Sequence, residues 1–203
     1  MSDVDRCNSN MDDLQNFGVF SKNSSENASH YDTFAAKYDG MQDMSGFNDP
    51  FELAKAAIEK LGQEGQPLAS SETRILDFGC GTGLMGIELK KAGYTNVYGI
   101  DGSAEMLAIA DSKNVYKWTW QVLVGDTPMP IGAVYKEEIK GSGYDAVFSS
   151  ACMIKGHLPN TCYEEMLKVL KPGGYILFTI RDIYLDSATD NGMDYVGKMA
   201  ELE

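Results

Sequence analysis

The hydrophobic and polar positions of this chain change their spacing several times, and each change marks a predicted element. Short apolar runs bounded by glycine or polar residues are typical of buried β-strands, whereas apolar residues three and four positions apart are typical of helices. Strands are predicted at residues 74–78, 96–100, 120–124, 144–149 and 175–180, and helices at residues 30–40, 48–62, 84–92, 104–112, 161–170 and from Met193.

The alternation of strands and helices predicts the fold class. Mostly apolar strands separated by helices indicate a parallel sheet that is covered on both faces. Right-handed crossovers then give a doubly wound α/β fold with a mostly parallel sheet, in which ligands bind beyond the carboxyl ends of the strands. Residues 29–203 are predicted to form one domain, and residues 1–28, rich in Ser, Asn and Asp, a disordered or loosely attached arm.

Composition narrows the class of function. The 203 residues are 43% hydrophobic, which is ordinary for a globular protein, and carry a formal net charge of −13. This charge argues against a nucleic-acid partner and against an anionic membrane surface. No apolar run is long enough to cross a bilayer and the N-terminus is polar, so a cytoplasmic location is expected. The four cysteines form no C-x-x-C pair, and no metal site is predicted.

The most informative stretch runs from Ile75 to Gly83, where a buried strand with an acid in it breaks into three alternating glycines. A strand, a glycine turn and a helix together form the layout of a nucleotide-binding loop. The spacing is not that of a dinucleotide loop, because Leu84 stands where a further glycine would be needed. The carboxylate of Asp77 would also repel a pyrophosphate but would suit an ammonium group. S-adenosylmethionine, which carries an ammonium and a sulfonium and no phosphate, fits this loop.

Five segments in order resemble the motifs of class I S-adenosylmethionine-dependent methyltransferases. They are Asp77-x-Gly79-x-Gly81-x-Gly83, Gly99-Ile100-Asp101-Gly102-Ser103-x-x-Met106-Leu107, Gly125-Asp126, Tyr144-Asp145-Ala146-Val147-Phe148-Ser149 and Leu170-Lys171-Pro172-Gly173-Gly174-Tyr175. One glycine loop alone would be weak evidence, but ordered motifs at sensible spacing are strong. Met153–His157 and Phe178–Arg181 resemble more narrowly the methyltransferase-like subfamily named for the Williams–Beuren chromosomal region.

The resemblance implies a site for the cofactor S-adenosylmethionine. Asp77 would favour the ammonium, Asp101 would accept hydrogen bonds from the ribose hydroxyls, and Asp126 would take the adenine amino group. Bland roles stay open for several positions: a turn for Asp126, core packing for Met106 and simple packing for Tyr38. The implied cofactor-binding residues are Tyr38, Asp77, Gly79, Cys80, Gly81, Asp101, Gly102, Met106, Asp126, Thr127 and Ser149.

His157 is the one candidate for a general base, since it follows the fourth predicted strand, where the resembling enzymes build the acceptor side. A lone loop histidine is also commonly structural. The fourth strand continues into Ser149-Ser150-Ala151-Cys152 and not into the Asn/Asp-Pro-Pro-aromatic sequence of enzymes that methylate nucleic-acid amino groups. Together with the acidity, this favours a small-molecule or protein methyl acceptor.

The C-terminal part departs from the family pattern. The resembling fold has seven strands, and residues 182–203 leave no room for both of the last two. We therefore expect a sheet without those strands and with an exposed edge, through which a homo-oligomer could form. The departure keeps open a second function, a cofactor-binding scaffold with incomplete or lost catalysis. A dehydrogenase is a third, weaker hypothesis.

Overall fold

The protein is described here by a computed structural model, which covers residues 24–63, 72–123, 143–190 and 192–202. The helices are α1 (Ser24–Ser45), α2 (Asp49–Gln63), α3 (Leu84–Lys91), α4 (Ala104–Ser112), α5 (Cys162–Val169) and α6 (Tyr195–Glu201). The strands are β1 (Ile75–Phe78), β2 (Val97–Asp101), β3 (Trp118–Gln121), β4 (Tyr144–Met153) and β5 (Leu170–Ile180), and Asp182–Tyr184 forms a short 3₁₀ helix.

The five strands form one parallel sheet in the order β3-β2-β1-β4-β5. From β1 the chain winds outward through β2 to β3 and then returns to β4 on the other side of β1. The predicted doubly wound α/β fold is thus confirmed. The reversal of direction leaves a crevice at the carboxyl ends of β1 and β4, which is where ligands bind in open α/β sheets.

Alternate residues of each strand enter two separate cores, because successive side chains of a strand point to opposite faces. Leu76 and Phe78 pack on the same face as α5, whereas Ile75 packs on the face covered by α2 and α3. All three side chains are fully buried. Helices therefore cover both faces, and this explains why the strands read as continuous apolar runs.

Strands β3, β4 and β5 differ from their predicted bounds. β5 starts at Leu170, five residues before its predicted start, because Leu170 pairs with Tyr144 of β4. β3 starts two residues before the predicted start, because Trp118 pairs with Tyr98 in the register of β2. β4 continues beyond Ser149 to Met153, across an irregularity where Ala151 adopts a φ of 58° and donates its N–H to Thr179 Oγ1 at 2.7 Å. A Ser-Ser-Ala-Cys run lacks the apolar pattern of a strand, so the pairing with β5 decides its conformation.

Helix α1 is longer than the predicted helix over residues 30–40. It begins at Ser24, inside the stretch assigned to the N-terminal arm, and runs to Ser45. Its polar first half is held by bonds to distant loops, described below, and not by an apolar stripe. Residues 1–23 lie outside the described residues, so the arm itself stays a prediction.

The described C-terminal residues support the loop that follows β4. Tyr195, at the start of α6, is fully buried and donates its hydroxyl to the carbonyl of Leu158. Tyr184 accepts a hydrogen bond from the N–H of Lys155 at 3.1 Å. In the part of the chain that the structure describes, β5 is an edge strand of the sheet, and no helix is long and apolar enough to span a membrane.

Candidate functional site

A cavity of about 100 Å³ lies at the carboxyl ends of β1, β2 and β4, under α1. Three loops at the strand ends line it, the glycine loop after β1, the turn after β2 and the loop after β4, and α1 and the start of α2 contribute the remaining side. Its described lining residues are Ser24, Asn27, Ala28, Tyr31, Tyr38, Phe47, Pro50, Asp77, Gly79, Cys80, Gly81, Thr82, Leu84, Met85, Asp101, Gly102, Met106, Ser150, Ala151, Cys152, His157 and Leu158.

The glycine loop needs glycine at two positions for different reasons. Gly79 has a φ of 82°, and a Cβ there would lie 2.7 Å from the sulfur of Cys152. Gly81 also has a positive φ, of 51°, but a Cβ there would meet no heavy atom within 4 Å. Glycine relieves backbone strain at both positions. At Gly81 it also leaves bare backbone beside the open cavity, where a ligand can approach closely.

The carboxyl group of Asp77 pairs with no cation among the described residues. Its side chain is fully buried, Oδ2 accepts a hydrogen bond from the Tyr116 hydroxyl at 2.6 Å, and Oδ1 has no partner among the described residues. Burial raises its pKa to about 7, and the nearby Asp101 adds to this shift, although the hydrogen bond from Tyr116 opposes it. A buried acid with a free oxygen is costly unless a ligand satisfies it.

Asp101 binds the glycine loop to the turn after β2. Its Oδ2 accepts from the N–H of Gly81 at 2.8 Å and its Oδ1 from the N–H of Ser103 at 2.9 Å. Burial raises its pKa, while the backbone hydrogen bonds act in the opposite direction. Each carboxylate oxygen retains a further lone pair, so Asp101 can still accept bonds from ligand hydroxyls.

The polar groups that line the cavity fit S-adenosylmethionine. Two carboxylates line the cavity, the fully buried Asp77 and the half-buried Asp101, and none of its described lining residues is a lysine or arginine. A phosphate-bearing ligand would be repelled here, whereas a ligand with an ammonium group and hydroxyl donors would compensate both acids. The free Oδ1 of Asp77 and the bare backbone at Gly81 suit the amino-acid part of that cofactor, and Asp101 suits its ribose.

Two acidic residues of α1, Asp32 and Asp39, bind the helix to the turn after β2, to the glycine loop and to the end of α4. Asp32 accepts from the hydroxyl of Ser103 and from the N–H of Glu105 at 3.2 Å. Asp39 accepts from the hydroxyl of Thr82 and forms a 2.6 Å ion pair with Lys113. These bonds hold Tyr38 against the cavity, where it was predicted to lie.

The other end of α1 is bonded to the loop after β4. Asn27 donates to the carbonyl of Gly156 at 3.0 Å, and the Tyr31 hydroxyl is hydrogen-bonded to Nε2 of His157. Burial lowers the pKa of His157 to about 4 and raises that of Tyr31, so both groups are neutral at physiological pH. Tyr31 and His157 thus form one wall of the cavity.

Most residues predicted for the site line this cavity. Tyr38, Asp77, Gly79, Cys80, Gly81, Asp101, Gly102, Met106 and His157 all do. Ser149 is not among the lining residues: it is fully buried and donates its hydroxyl to the carbonyl of Phe78 at 2.9 Å. The cavity is lined instead by the next residues of β4, Ser150 to Cys152. Asp126 and Thr127 lie outside the described residues and stay predictions.

Sequence reasoning missed the side chains that reach the site from distant parts of the chain. Tyr31, Ser150 and Cys152 line the cavity, and Tyr116 contacts Asp77 from behind it. Tyr31 falls within the helix predicted over residues 30–40 and belongs to none of the five motifs. Tyr116 follows α4 in a segment with no motif, so no local signal could have marked it.

Comparison with known proteins agrees with this geometry. Residues 75–174 match the family described as "Methyltransferase domain", a range that starts at β1 and ends within β5. This part of the chain is a methyltransferase domain of the class I S-adenosylmethionine-dependent type. Such methyltransferases use S-adenosylmethionine as their cofactor.

Individual relatives of this methyltransferase chain cover most of it. Human methyltransferase-like protein 27 is 32% identical over 151 residues, which are 74% of this chain and 56% of that protein. Bacillus subtilis YqeM is 26% identical over 162 residues, 76% of this chain and 56% of that protein. An S-adenosylmethionine-dependent methyltransferase from Clostridium acetobutylicum has a similar fold, with a TM-score of 0.51 at 21% identity, covering 76% of this chain and 58% of that one. The chain thus spans a little over half the length of these relatives.

Proposed function

We propose that the chain is an S-adenosylmethionine-dependent methyltransferase that binds its cofactor in the cavity beneath α1 and methylates a small-molecule or protein acceptor. The observation that carries the proposal is the pair of carboxylates, the fully buried Asp77 and the half-buried Asp101, beside a glycine loop in a cavity lined by no described lysine or arginine. The similarity to human methyltransferase-like protein 27 supports the narrower assignment to the methyltransferase-like subfamily.

On the donor side, Asp77 would accept the ammonium group and the backbone of Gly79 and Gly81 would lie along the amino-acid part. Asp101 would bind the ribose hydroxyls, and Met106, almost fully buried and lining the cavity, would contact the adenine. The 2.8 Å hydrogen bond from the Gly81 N–H to Asp101 supports joint binding of one cofactor, because it fixes the carboxylate proposed to bind the ribose relative to the glycine loop.

When bound, S-adenosylmethionine supplies a methyl group activated by the positive sulfur. The protein then has to align the acceptor with that methyl and keep water out. Helix α1 supports both tasks, since it contributes Tyr31 and Tyr38 to the cavity and is bonded to the loops on either side of it. Among the described lining residues, Asp77 and Asp101 are the only acidic or basic ones apart from the neutral His157, which suits exclusion of water.

On the acceptor side, His157 would orient the methyl acceptor or take its proton. Its neutral ring, with a pKa lowered to about 4 by burial, retains a free lone pair or an N–H at physiological pH. The hydrogen bond to Tyr31 supports a fixed ring orientation. A positioned imidazole suits an acceptor with a hydroxyl or a protonated nitrogen, since these must lose a proton on methylation.

The proposed setting is the cytoplasm, with no nucleic-acid or membrane partner. The net charge of −13 supports this, because phosphate surfaces would repel the protein. β5 lies at the end of the strand order with half-buried apolar side chains, which supports self-association through the sheet edge.

Calorimetric titration with S-adenosylmethionine and S-adenosylhomocysteine tests the cofactor site. We expect both to bind and Asp101→Ala to weaken binding about ten-fold or more, from the loss of charge-assisted hydrogen bonds. The exposed Asp43, on α1, offers a matched control, since Asp43→Ala makes the same change of charge away from the cavity. Failure of the wild type to bind at millimolar ligand, or unchanged affinity of a folded Asp101→Ala variant, would refute the assignment.

A labelled-methyl screen of cell extracts then separates the two functional hypotheses. Transfer of label to an extract component identifies an active enzyme and its acceptor together. Cofactor binding without transfer to any component would instead favour the cofactor-binding scaffold.

A further inference from the structure

Tyr116 lies between α4 and β3 and contacts the glycine loop from the side away from the cavity. Its hydroxyl donates to Oδ2 of Asp77 at 2.6 Å and accepts from the N–H of Gly86 at 3.2 Å. Its ring packs close to Gly83 and Gly86, where a Cβ would lie 3.2 Å and 2.6 Å from ring carbons. Tyr116 does not line the cavity, so any effect on a ligand must pass through Asp77 or the loop.

The same hydroxyl supplies a cap that α3 lacks. The residue that precedes the helix, Gly83, has no side chain and makes no side-chain capping bond. Gly86 is in the first turn, where backbone N–H groups have no partner within the helix. The Tyr116 oxygen accepts from one of them, although it is 30 residues away. One hydroxyl thus connects the positive end of α3 to the Asp77 carboxylate.

We propose that Tyr116 is a positioning residue of the cofactor site, which holds the Asp77 carboxylate with Oδ1 directed to the ammonium group of the bound cofactor. The proposal rests on the proposed function. Two contacts and one unpaired atom carry it: the bond from Tyr116 occupies Oδ2, the bond from Gly86 fixes the phenol, and Oδ1 has no partner among the described residues. Because the Tyr116 hydroxyl holds Oδ2 in place, Oδ1 is the oxygen of this carboxylate that remains to bind a ligand.

The hydroxyl also affects the charge on Asp77. Burial raises the pKa of this carboxyl, and the bond from Tyr116 lowers it, so that part of the population is ionised near neutral pH. A phenylalanine at position 116 would remove the lowering contribution. Cofactor affinity should then reach its plateau only at a higher pH than in the wild type.

Two ligands that differ only in the amino-acid part provide the test. S-adenosylhomocysteine and 5′-methylthioadenosine share the adenosine and a neutral sulfur, but only the former has an ammonium group. Tyr116→Phe should weaken S-adenosylhomocysteine binding about five- to ten-fold, as expected for a lost hydrogen bond to a charged group, and leave 5′-methylthioadenosine within two-fold. Calorimetric titration of both ligands between pH 6 and pH 9 gives these affinities, and the midpoint for S-adenosylhomocysteine should move to higher pH.

Controls distinguish positioning from loop support. Tyr94 is fully buried, and its hydroxyl has no partner among the described residues, so Tyr94→Phe should change neither affinity. In an Asp77→Asn background, Tyr116→Phe should have no further effect on S-adenosylhomocysteine. Equal weakening of both ligands, or no weakening of either, would overturn the proposal while leaving the proposed function intact. Failure of the wild type to bind either ligand would instead overturn the function itself.

Discussion

The buried charge of Asp77 should make the protein without cofactor less stable as pH rises. Its raised pKa means that the folded chain holds this proton more tightly than the unfolded chain does. The contribution to stability is therefore complete below the unfolded pKa, near 4, and is lost as pH rises through the folded value of about 7. Asp77→Asn removes the ionisation and keeps the size of the side chain, and its amide oxygen can still accept the bond from Tyr116.

The size of the effect follows from the shift. The pKa rises from 3.8 to about 7, and each unit corresponds to about 1.4 kcal/mol, which gives a total of about 4 kcal/mol. About 3 kcal/mol of this total falls between pH 5 and pH 8, since the unfolded group is already largely ionised at pH 5. We expect the free energy of unfolding of the wild type, measured relative to Asp77→Asn, to fall by that amount over this range.

Urea unfolding at constant ionic strength and without cofactor measures this difference. The chain has two tryptophans, Trp118 and Trp120, both on β3, and their fluorescence reports unfolding of the sheet. The exposed Asp43 supplies the control, because Asp43→Asn should follow the wild type at every pH. A difference between wild type and Asp77→Asn that stays constant from pH 5 to pH 8 would refute the reasoning.

Two further predictions concern helix α1, which lies over the cavity, and His157. Asp39→Asn weakens the 2.6 Å contact to Lys113, so α1 should separate from the domain more often and trypsin should cleave after Lys37 several-fold faster. An unchanged cleavage rate would mean that the other contacts of α1 hold the helix in place without this ion pair. The pKa of His157 is lowered to about 4, so at saturating cofactor, where the titration of Asp77 does not limit binding, the rate of methyl transfer should not fall as pH decreases through 6.5 and should do so only near pH 4. A loss of rate near pH 6.5 that disappears in His157→Asn would contradict the lowered pKa.

The donor side of the site could be predicted because its chemistry is local and its assembly follows a general rule. Asp77 and Gly79 are neighbours in sequence, and Asp101 follows the next strand. Parallel strands bring their carboxyl ends to one edge of a sheet, so the acids converge without any knowledge of side-chain contacts. The strand order confirms that rule for this chain.

The position of α1 over the cavity and the side chains that support the site from outside it could not be predicted, because they depend on contacts between residues distant in sequence. Tyr31 and His157 are 126 positions apart, and Tyr116 and Asp77 are 39 apart. Similarly, the stretch after β5 predicted a helix from Met193 but no contact with the site, yet Tyr184 bonds to Lys155 and Tyr195 to Leu158, on either side of His157 in sequence. Hydrophobic spacing reports which face of an element is buried and does not report the partner.

Two glycine–cysteine contacts in the loop have a consequence for the evolution of this chain. A Cβ on Gly79 would lie 2.7 Å from the sulfur of Cys152, and one on Gly99 would lie 2.8 Å from the sulfur of Cys80. In each pair the thiol fills the volume that a side chain on the glycine would need, so the two positions share a fixed amount of space. Among homologous sequences we expect each pair to covary, with a larger residue at one position accompanied by a smaller one at the other. The sequence of the glycine loop and its neighbours would then change through paired substitutions, while the path of the backbone stays the same.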